Sequence, residues 1–520
     1  MKNDWLERII LNRKKLEEGY AANPRHFSGL KQDLTEDRYN DPCHFIYELI
    51  QNADDQNASN VYFEINNYEI MITHNGKNFT EQDVDDITTP RNSKKVNDPK
   101  KIGKYGIGFF SVYSICDSPI IYSSINSENF FFKIKEIFWP EKLNLEETNK
   151  YKNRVKKNNT YFFLKFKKNI KNKFLKEIEN FIQKNSKNSL LFLRYINNLT
   201  FKINKKTYEY KKRERGLYTY LTFNENNLKN ISKYLIYSKF TDQNIGQGEL
   251  MSFAFKMNKQ EFIPEEKYTN FYVYFPTDQL STFQFIINSP FALDSGRSLF
   301  KKNNNINNAL LNQCANEIEN IFEFLKEKKI LNFSFLKLLG YRLKINEAED
   351  ISANIAKKIG YCFKYNEVWP TTSQEFSKID NLYLLDQSLK KSKYFNSVFS
   401  DINISFVLQK KKIFVLKKIK KEYEKLYIDF NGNIIDKNFI INLLDNDFKI
   451  FTTLSKKNGN NWLSKLYLFL SELNYNNHHF PLIKSSINQF KKGSNLRFKN
   501  HIKLKKINNV YNFFIKNKNL

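Results

Sequence analysis

The chain has 520 residues, a formal net charge of +29 and an aromatic share of 16%. That length exceeds one ordinary core and predicts about three domains; the aromatic content excludes a disordered chain. The charge favours anionic partners such as nucleic acid, acidic lipid or nucleotide, although lysine is abundant throughout the chain and fits a general compositional habit equally well.

The four cysteines, Cys43, Cys116, Cys314 and Cys362, form no CxxC pair, which argues against a zinc knuckle or a disulfide framework and fits a reducing cytoplasm. Charged Asp4, Glu7 and Arg8 interrupt the first apolar residues, unlike a signal peptide. No uncharged apolar stretch of about 18 residues occurs, so no membrane span is expected.

In chain order, residues 5–20 have helical spacing and predict a lead-in helix, with a second short one at 27–34. Asp41 and Pro42 form a helix start signal. In the helix that follows, Phe45, Ile46, Leu49, Ile50 and Ala53 fall on one side, and Glu48, Asn52 and Asp55 gather on the other. Alone, that polar side reads as an ordinary solvated face. Residues 61–65 and 68–73 are β-rich runs split by Asn66 and Asn67, a hairpin signal.

A polar turn follows, from His74 through Asn75, Gly76, Lys77 and Asn78 to Phe79; Thr80 and Asp83 then open a helix in a capping-box pattern. Residues 88–101 are rich in Thr, Ser, Lys and Pro and have the composition of a lid. The run Gly103, Lys104, Tyr105, Gly106, Ile107, Gly108, Phe109 leads into apolar helical spacing. Glycines there let backbone N–H groups approach phosphate oxygens at a helix N-terminus. The run lacks the preceding strand of a dinucleotide fold and the GK[ST] of a P-loop, so another kind of nucleotide site is required.

The order of these motifs resembles that of the GHKL ATPases, whose nucleotide domain is the Bergerat fold, and more narrowly their sacsin-like branch, related to the ninety-kilodalton heat-shock chaperone. The resemblance covers roughly residues 27–168. It implies ATP and Mg²⁺ as ligands. Glu48 would be the general base toward the attacking water, Asn52 the Mg²⁺ ligand, and Asp55 a residue lining the nucleotide pocket. Gly103, Gly106 and Gly108, with Lys104, Tyr105, Ile107 and Phe109 between and beside them, would wrap the phosphates. Gly76, Asn78 and Phe79 would line the site as the first glycine box. Thr160, opening a strand at 161–166, resembles the distal threonine that helps bind adenine, and reads equally as an ordinary strand threonine. Many relatives carry an aspartate that reads the adenine amino group; here His74 occupies that place with Asn75 beside it, and either could take the role.

Beyond this module, a Leu-rich helix and strands are expected across 189–213. Strands at 234–240, 250–257, 271–275 and 283–288, backed by a helix at 306–328, predict a second α/β domain. Arg297, in the loop after Asn288, resembles a γ-phosphate sensor delivered from a transducer-like domain, and reads equally as a surface arginine. In the last third, residues 428–435 suggest a hairpin at Asn431 and Gly432, and a helix is expected at 462–473. The final residues interleave lysines with Phe and Tyr, as a nucleic-acid surface or a solvated lysine face would.

The expected fold class is α+β, with a Bergerat-type α/β sandwich over 1–205, a second α/β transducer-like domain over 206–340 and a mixed α/β, basic C-terminal region over 341–520. The expected function is slow Mg²⁺-dependent ATP hydrolysis that closes a lid or clamp, in a chaperone-like or regulatory role. The alternatives are a nucleic-acid-associated ATPase of the same type and a non-hydrolysing scaffold. A protein client, nucleic acid and a homodimer are the partners these readings imply. A histidine kinase is disfavoured because His26 and His44 lie too close to the Glu48 motif.

Overall fold

The computed structural model describes residues 4–21, 25, 43–89, 108–125, 128–168, 172–185, 187–225, 228–294, 298–341, 343, 351–371, 375–386, 389, 391–399, 414–416, 421–446, 448–472, 483–484 and 490–491. Among these, the chain forms two compact units: Met1–Ile321 with Tyr341–Ala356, and Phe322–Gly340 with Lys357–Leu520.

The first unit is built on one large, mostly antiparallel sheet. Its strands are β1 (Asn60–Ile65), β2 (Glu69–His74), β3 (Ile120–Ile125), β4 (Glu128–Lys135), β5 (Trp139–Lys142), β6 (Thr160–Lys165), β7 (Asn198–Ile203) and β8 (Lys206–Arg215). The sheet continues with β9 (Tyr218–Glu225), β10 (Leu228–Phe240), β11 (Leu250–Asn258), β12 (Glu261–Phe262), β13 (Asn270–Val273), β14 (Phe275–Leu280) and β15 (Ile286–Asn288). The spatial order is β14-β13-β15-β11-β10-β9-β8-β7-β1-β2-β6-β3-β4-β5, with β12 on β11. Parallel pairing joins β1 to β7 and β13 to β15; the other neighbours are antiparallel. Because β7 pairs with β8 from Ile203↔Lys206 onward, the sheet runs unbroken through residue 205.

The β1–β2 hairpin forms where Asn66 and Asn67 place it. The Asn66 side chain accepts from the Tyr68 and Glu69 N–H groups at 2.8 and 3.0 Å, a local turn that an Asn oxygen makes readily. One face of the sheet carries the main core. Helices α1 (Asp4–Ala21), α2 (Phe45–Asp55) and α5 (Asn172–Asn185) pack there, as does the 3₁₀ helix Gly108–Ser114. Between them in sequence come α3 (Glu81–Ile87) and α4 (Leu145–Lys152). Phe45, Ile46, Leu49 and Ile50 of α2 are buried, each contributing about 1.5–3 kcal/mol, and Phe63 stacks on Phe201 at 4.8 Å across the β1–β7 pair. Helix α6 (Asn305–Glu327) lies on the opposite face, where Tyr237 Oη donates to Glu317 at 2.8 Å and Cys314 meets Met251.

Two sequence expectations are corrected here. Residues 190–193 are not helical but turns and bends, for a reason that lies in α2 and is given below. The α2 helix starts after a turn at Cys43 and His44, with His44 as its N-cap residue; Asp41 and Pro42, like the expected helix at 27–34, lie outside the described residues.

The second unit holds a three-stranded parallel sheet of Phe414–Leu416, Leu382–Leu385 and Asn433–Ile435. The hairpin expected at Asn431 and Gly432 is instead a helix end followed by a strand. Asn431 sits at φ 59°, and the Gly432 N–H returns to the Tyr427 carbonyl of helix Lys421–Asp429. An Asn-Gly pair supplies a left-handed helix stop as well as a hairpin turn. The expected late helix is longer than foreseen, Phe448–Glu472, with a break at Gly459. No helix among the described residues is long and apolar enough to cross a membrane.

Candidate nucleotide site

Helix α2 supplies three of the candidate residues from one helical face, Glu48, Asn52 and Asp55. Two are deeply buried, Glu48 at 3% and Asp55 at 8% exposure, and Asn52 is half-buried. The face expected to be solvated or pocket-facing is therefore largely enclosed, because the 3₁₀ helix Gly108–Ser114 packs against it. Gly108 backs directly onto Glu48: a Cβ there would stand 2.7 Å from the carboxyl carbon and closer still to Oε2. His44 Nε2 lies 3.5 Å from Glu48 Oε1, one turn earlier on the helix. A side chain at position 108 would therefore have to displace this carboxylate or the backbone over it. The Asn52 carboxamide has no hydrogen-bond partner among the described residues.

Asp54, which the sequence reading passed over, faces the other way. Its Oδ2 accepts from the Arg194 N–H at 3.0 Å, and its Oδ1 from the N–H groups of Tyr195 and Ile196 at 2.8 and 3.0 Å. This carboxylate holds residues 190–196 out of a helix by taking N–H groups that a helix would use. Lys212 Nζ donates to the Leu193 carbonyl in the same region, and burial pushes its pKa below the usual lysine value. Arg194 donates to Tyr274 Oη at 3.1 Å, which donates to Glu249 at 2.8 Å. Two adjacent aspartates at the end of an amphipathic helix must face different ways, and that was the available signal.

The turn after β2 is fixed by backbone contacts. Lys77 N–H donates to the Gln56 carbonyl at 2.7 Å, and a Cβ on Gly76 would meet that same oxygen at 2.6 Å. Asn75 is committed to the start of β1: Oδ1 accepts from the Ser59 and Asn60 N–H groups at 3.0 and 2.9 Å, and Nδ2 donates to Ser59 Oγ. Both lone pairs of that carbonyl are engaged. His74 is buried, and desolvation pushes its pKa down to about 4. The Gly76 N–H donates to its Nδ1 at 3.2 Å, so the proton of the neutral ring sits on Nε2.

His74 lies directly across from Thr160 in the β2–β6 register. Thr160 Oγ1 is 2.9 Å from Ser123 Oγ on β3, which also accepts from the Phe79 N–H at 3.1 Å. The rings of His74, Phe79 and Phe109 surround Phe162 at 6.2, 6.1 and 5.9 Å. The structure thus brings His74, Phe79, Phe109 and Thr160 together and adds Ser123. That serine was findable, since it shares the inward parity of Ile121. Asn78 Oδ1 is buried without a hydrogen-bond partner among the described residues. Thr80 and Asp83 form the foreseen capping box of α3. Gly103, Lys104, Tyr105, Gly106, Ile107 and Arg297 lie outside the described residues.

A model of the sacsin domain family matches residues 66–177. The chain is 34% identical over 110 residues to Protein NO VEIN of Arabidopsis thaliana, covering 20% of this chain and 4% of that protein. It is 34% identical over 103 residues to human Sacsin, covering 16% of this chain and 2% of that protein. The chain therefore spans only a few per cent of the length of these curated relatives. The matched family segment contains the turn from His74 to Phe79, the Gly103–Phe109 run, Ser123 and Thr160, and begins after the Glu48 helix.

Proposed function

We propose that this chain binds ATP through a GHKL-type site on a Bergerat fold and hydrolyses it slowly with Mg²⁺, using nucleotide occupancy to close a lid or clamp in a chaperone-like or regulatory role. The observation that carries the reading is the enclosed Glu48 carboxylate beneath Gly108, where the glycine run meets the motif helix.

The residues present fit the ligands. Asn78 offers a buried acceptor without a partner, and the Nε2–H of His74 offers a donor; a base edge with one donor and one acceptor, as in adenine, would satisfy both kinds of group. Thr160 and Ser123 add hydroxyls. With Asn75 engaged elsewhere and His74 Nδ1 accepting from Gly76, the acceptor for the adenine amino group would be Asn78 Oδ1, and the Nε2–H of His74 would donate to a ring nitrogen. Asn52 would hold Mg²⁺ through its carboxamide oxygen, and the metal when bound supplies positive charge beside the phosphates. Glu48 would take the proton of the attacking water. Asp55 would line the pocket, and the Gly103–Phe109 run would wrap the phosphates. Closure would follow from contacts made only in one state, with segment 88–101 as lid and Arg297 as γ-phosphate sensor. A protein client and a homodimer are the partners this reading implies.

Steady-state hydrolysis and nucleotide binding of the purified protein test it, with and without Mg²⁺. Wild type should turn over slowly, and Glu48→Ala should bind ATP without cleaving it. ATP binding with no Glu48-dependent hydrolysis would move the reading to a nucleotide-dependent scaffold, and no ATP binding would end it.

A further inference from the structure

Among the described residues, the face of the sheet opposite the main core is covered at both ends and carries no helix between. At one end α6 covers β10 and β11, through Glu317 on Tyr237 and Cys314 on Met251. At the other end Met71, Tyr122, Tyr161 and Phe163 cluster, with Tyr151 of α4 on Phe163 at 4.6 Å. Between these regions, no described helix covers the outward rows of β7, β8, β9 and the first half of β10.

Strand register sets what this strip displays. Tyr220 of β9 stands directly between Arg213 of β8 and Lys233 of β10. In the next row Tyr218 faces Arg215, and Lys233 Nζ sits 3.5 Å from the Tyr218 ring centre. The following rows place Lys211 beside Thr222 and Ile231, then Glu209 beside Asn224 and Lys229. Arg213, Arg215 and Lys229 are exposed, and Tyr218, Tyr220 and Lys233 are half-exposed. The carboxylate on the strip, Glu209, is already paired with Lys211 at 3.1 Å, and Glu64 of the adjoining β1 with Lys202 at 2.8 Å. Arg213, Arg215 and Lys229 have no acidic partner among the described residues.

We infer that the outward face of β8, β9 and β10 binds single-stranded nucleic acid, with Tyr218 and Tyr220 stacking on bases and Arg213, Arg215 and Lys229 holding phosphates. The excess of unpaired cations calls for a polyanion. The tyrosines select the kind of polyanion: bases are free to stack on a ring only where they are not already paired in a duplex. Side chains two residues apart on one strand lie about 7 Å apart on the same face, so successive bases of an extended strand can each meet a ring. The site is independent of the nucleotide pocket, which lies among the turns and helices on the other side of β2 and β6.

The test uses the full chain without nucleotide and fluorescein-labelled oligonucleotides of about 20 residues: uridine and thymidine single strands, and a duplex of equal length. Fluorescence anisotropy is followed at ~50 and ~200 mM salt. Replacing both Tyr218 and Tyr220 with Ala should weaken single-strand binding about tenfold or more while sparing duplex binding, and replacing both with Phe should preserve it. Arg213→Ala with Arg215→Ala should weaken binding and lower the salt slope by about 2. Circular dichroism checks folding, and the Phe pair keeps the test valid if the Ala pair misfolds, since weaker binding and a lower salt slope on the Phe background with Arg213→Ala and Arg215→Ala still read the strip. Unchanged binding in the tyrosine and arginine variants overturns the inference, placing any binding on other basic segments. Duplex binding as tight as single-strand binding also overturns it.

Discussion

Gly108 rests on the carboxylate of Glu48 with no room for a methyl group, since a Cβ at that position would stand 2.7 Å from the Glu48 carboxyl carbon. Gly108→Ala must therefore move either the 3₁₀ helix or the carboxylate. A general base contributes about 10²–10⁴-fold and only when held within hydrogen-bond reach of its proton. Hydrolysis by Gly108→Ala should accordingly fall by about 100-fold or more, matching Glu48→Gln. Calorimetry should show ATP binding changed much less than turnover. Wild-type turnover in Glu48→Gln would remove Glu48 from the chemistry, and wild-type turnover in Gly108→Ala alone would show that Gly108 does not position it.

Asp54 should be a stability residue rather than a site residue. Its carboxylate accepts three backbone N–H groups, from Arg194, Tyr195 and Ile196, while only 1% exposed. Removing a buried charged acceptor leaves those donors unsatisfied, and Asp54→Ala should cost about 3 kcal/mol, read as a lowered urea midpoint. Asp54→Asn keeps one acceptor oxygen and should lose less. If Asp55→Ala destabilises as much as Asp54→Ala, the division of labour between the two aspartates is wrong.

Burial of His74 sets a pH dependence. Its pKa falls from an ordinary value near 6.5 to about 4 in the folded chain, so between those values the unfolded chain binds a proton that the folded chain does not. Stability therefore rises with pH across that window and is lost as pH falls through it, by about 2 kcal/mol at pH 5 relative to pH 8. Denaturation at both pH values measures this directly. In His74→Asn the difference should shrink by about that amount; a His74→Asn protein with the same pH profile would show that other groups carry it.

Local chemistry was legible in the sequence and distant partners were not. Asn66 makes the turn it advertises, Thr80 and Asp83 make the capping box, and Thr160 opens its strand. The placement of His74 opposite Thr160 depends on β6 pairing with β2 across the intervening β3, β4, β5 and α4, which no local pattern encodes. Leu190 to Leu193 have helical composition, yet Asp54 claims the N–H groups that follow. Asn75 looked like a free acceptor because nothing local reveals that its oxygen closes the start of β1. The pairing of Arg213, Tyr220 and Lys233 is likewise a product of register.

The lead-in helix, foreseen from the spacing of residues 5–20 but without a role in the sequence reading, is tied to the segment where the expected lid begins. Arg13 of α1 donates to the Asp85 carboxylate at 2.5 Å, to the Asp85 carbonyl at 3.3 Å, to Thr88 Oγ1 at 3.4 Å and to the Thr89 hydroxyl. Its side chain is 10% exposed, whereas Asp85 is about one-third exposed. Solvent therefore weakens the ion pair, and Arg13→Ala should cost about 1–2 kcal/mol. The larger effect should be local, because Thr88 and Thr89 are the first two residues of the expected lid, whose sequence carries Arg91, Lys94, Lys95, Lys100 and Lys101. Losing their anchor should raise the rate of tryptic cleavage at those five sites several-fold at a denaturant-free pH 8, with cleavage elsewhere unchanged, because opening of a small segment governs the rate. Arg13→Lys keeps the charge but not the fork of donors and should fall between the two. Identical cleavage rates in wild type and Arg13→Ala would show that α1 does not restrain the segment.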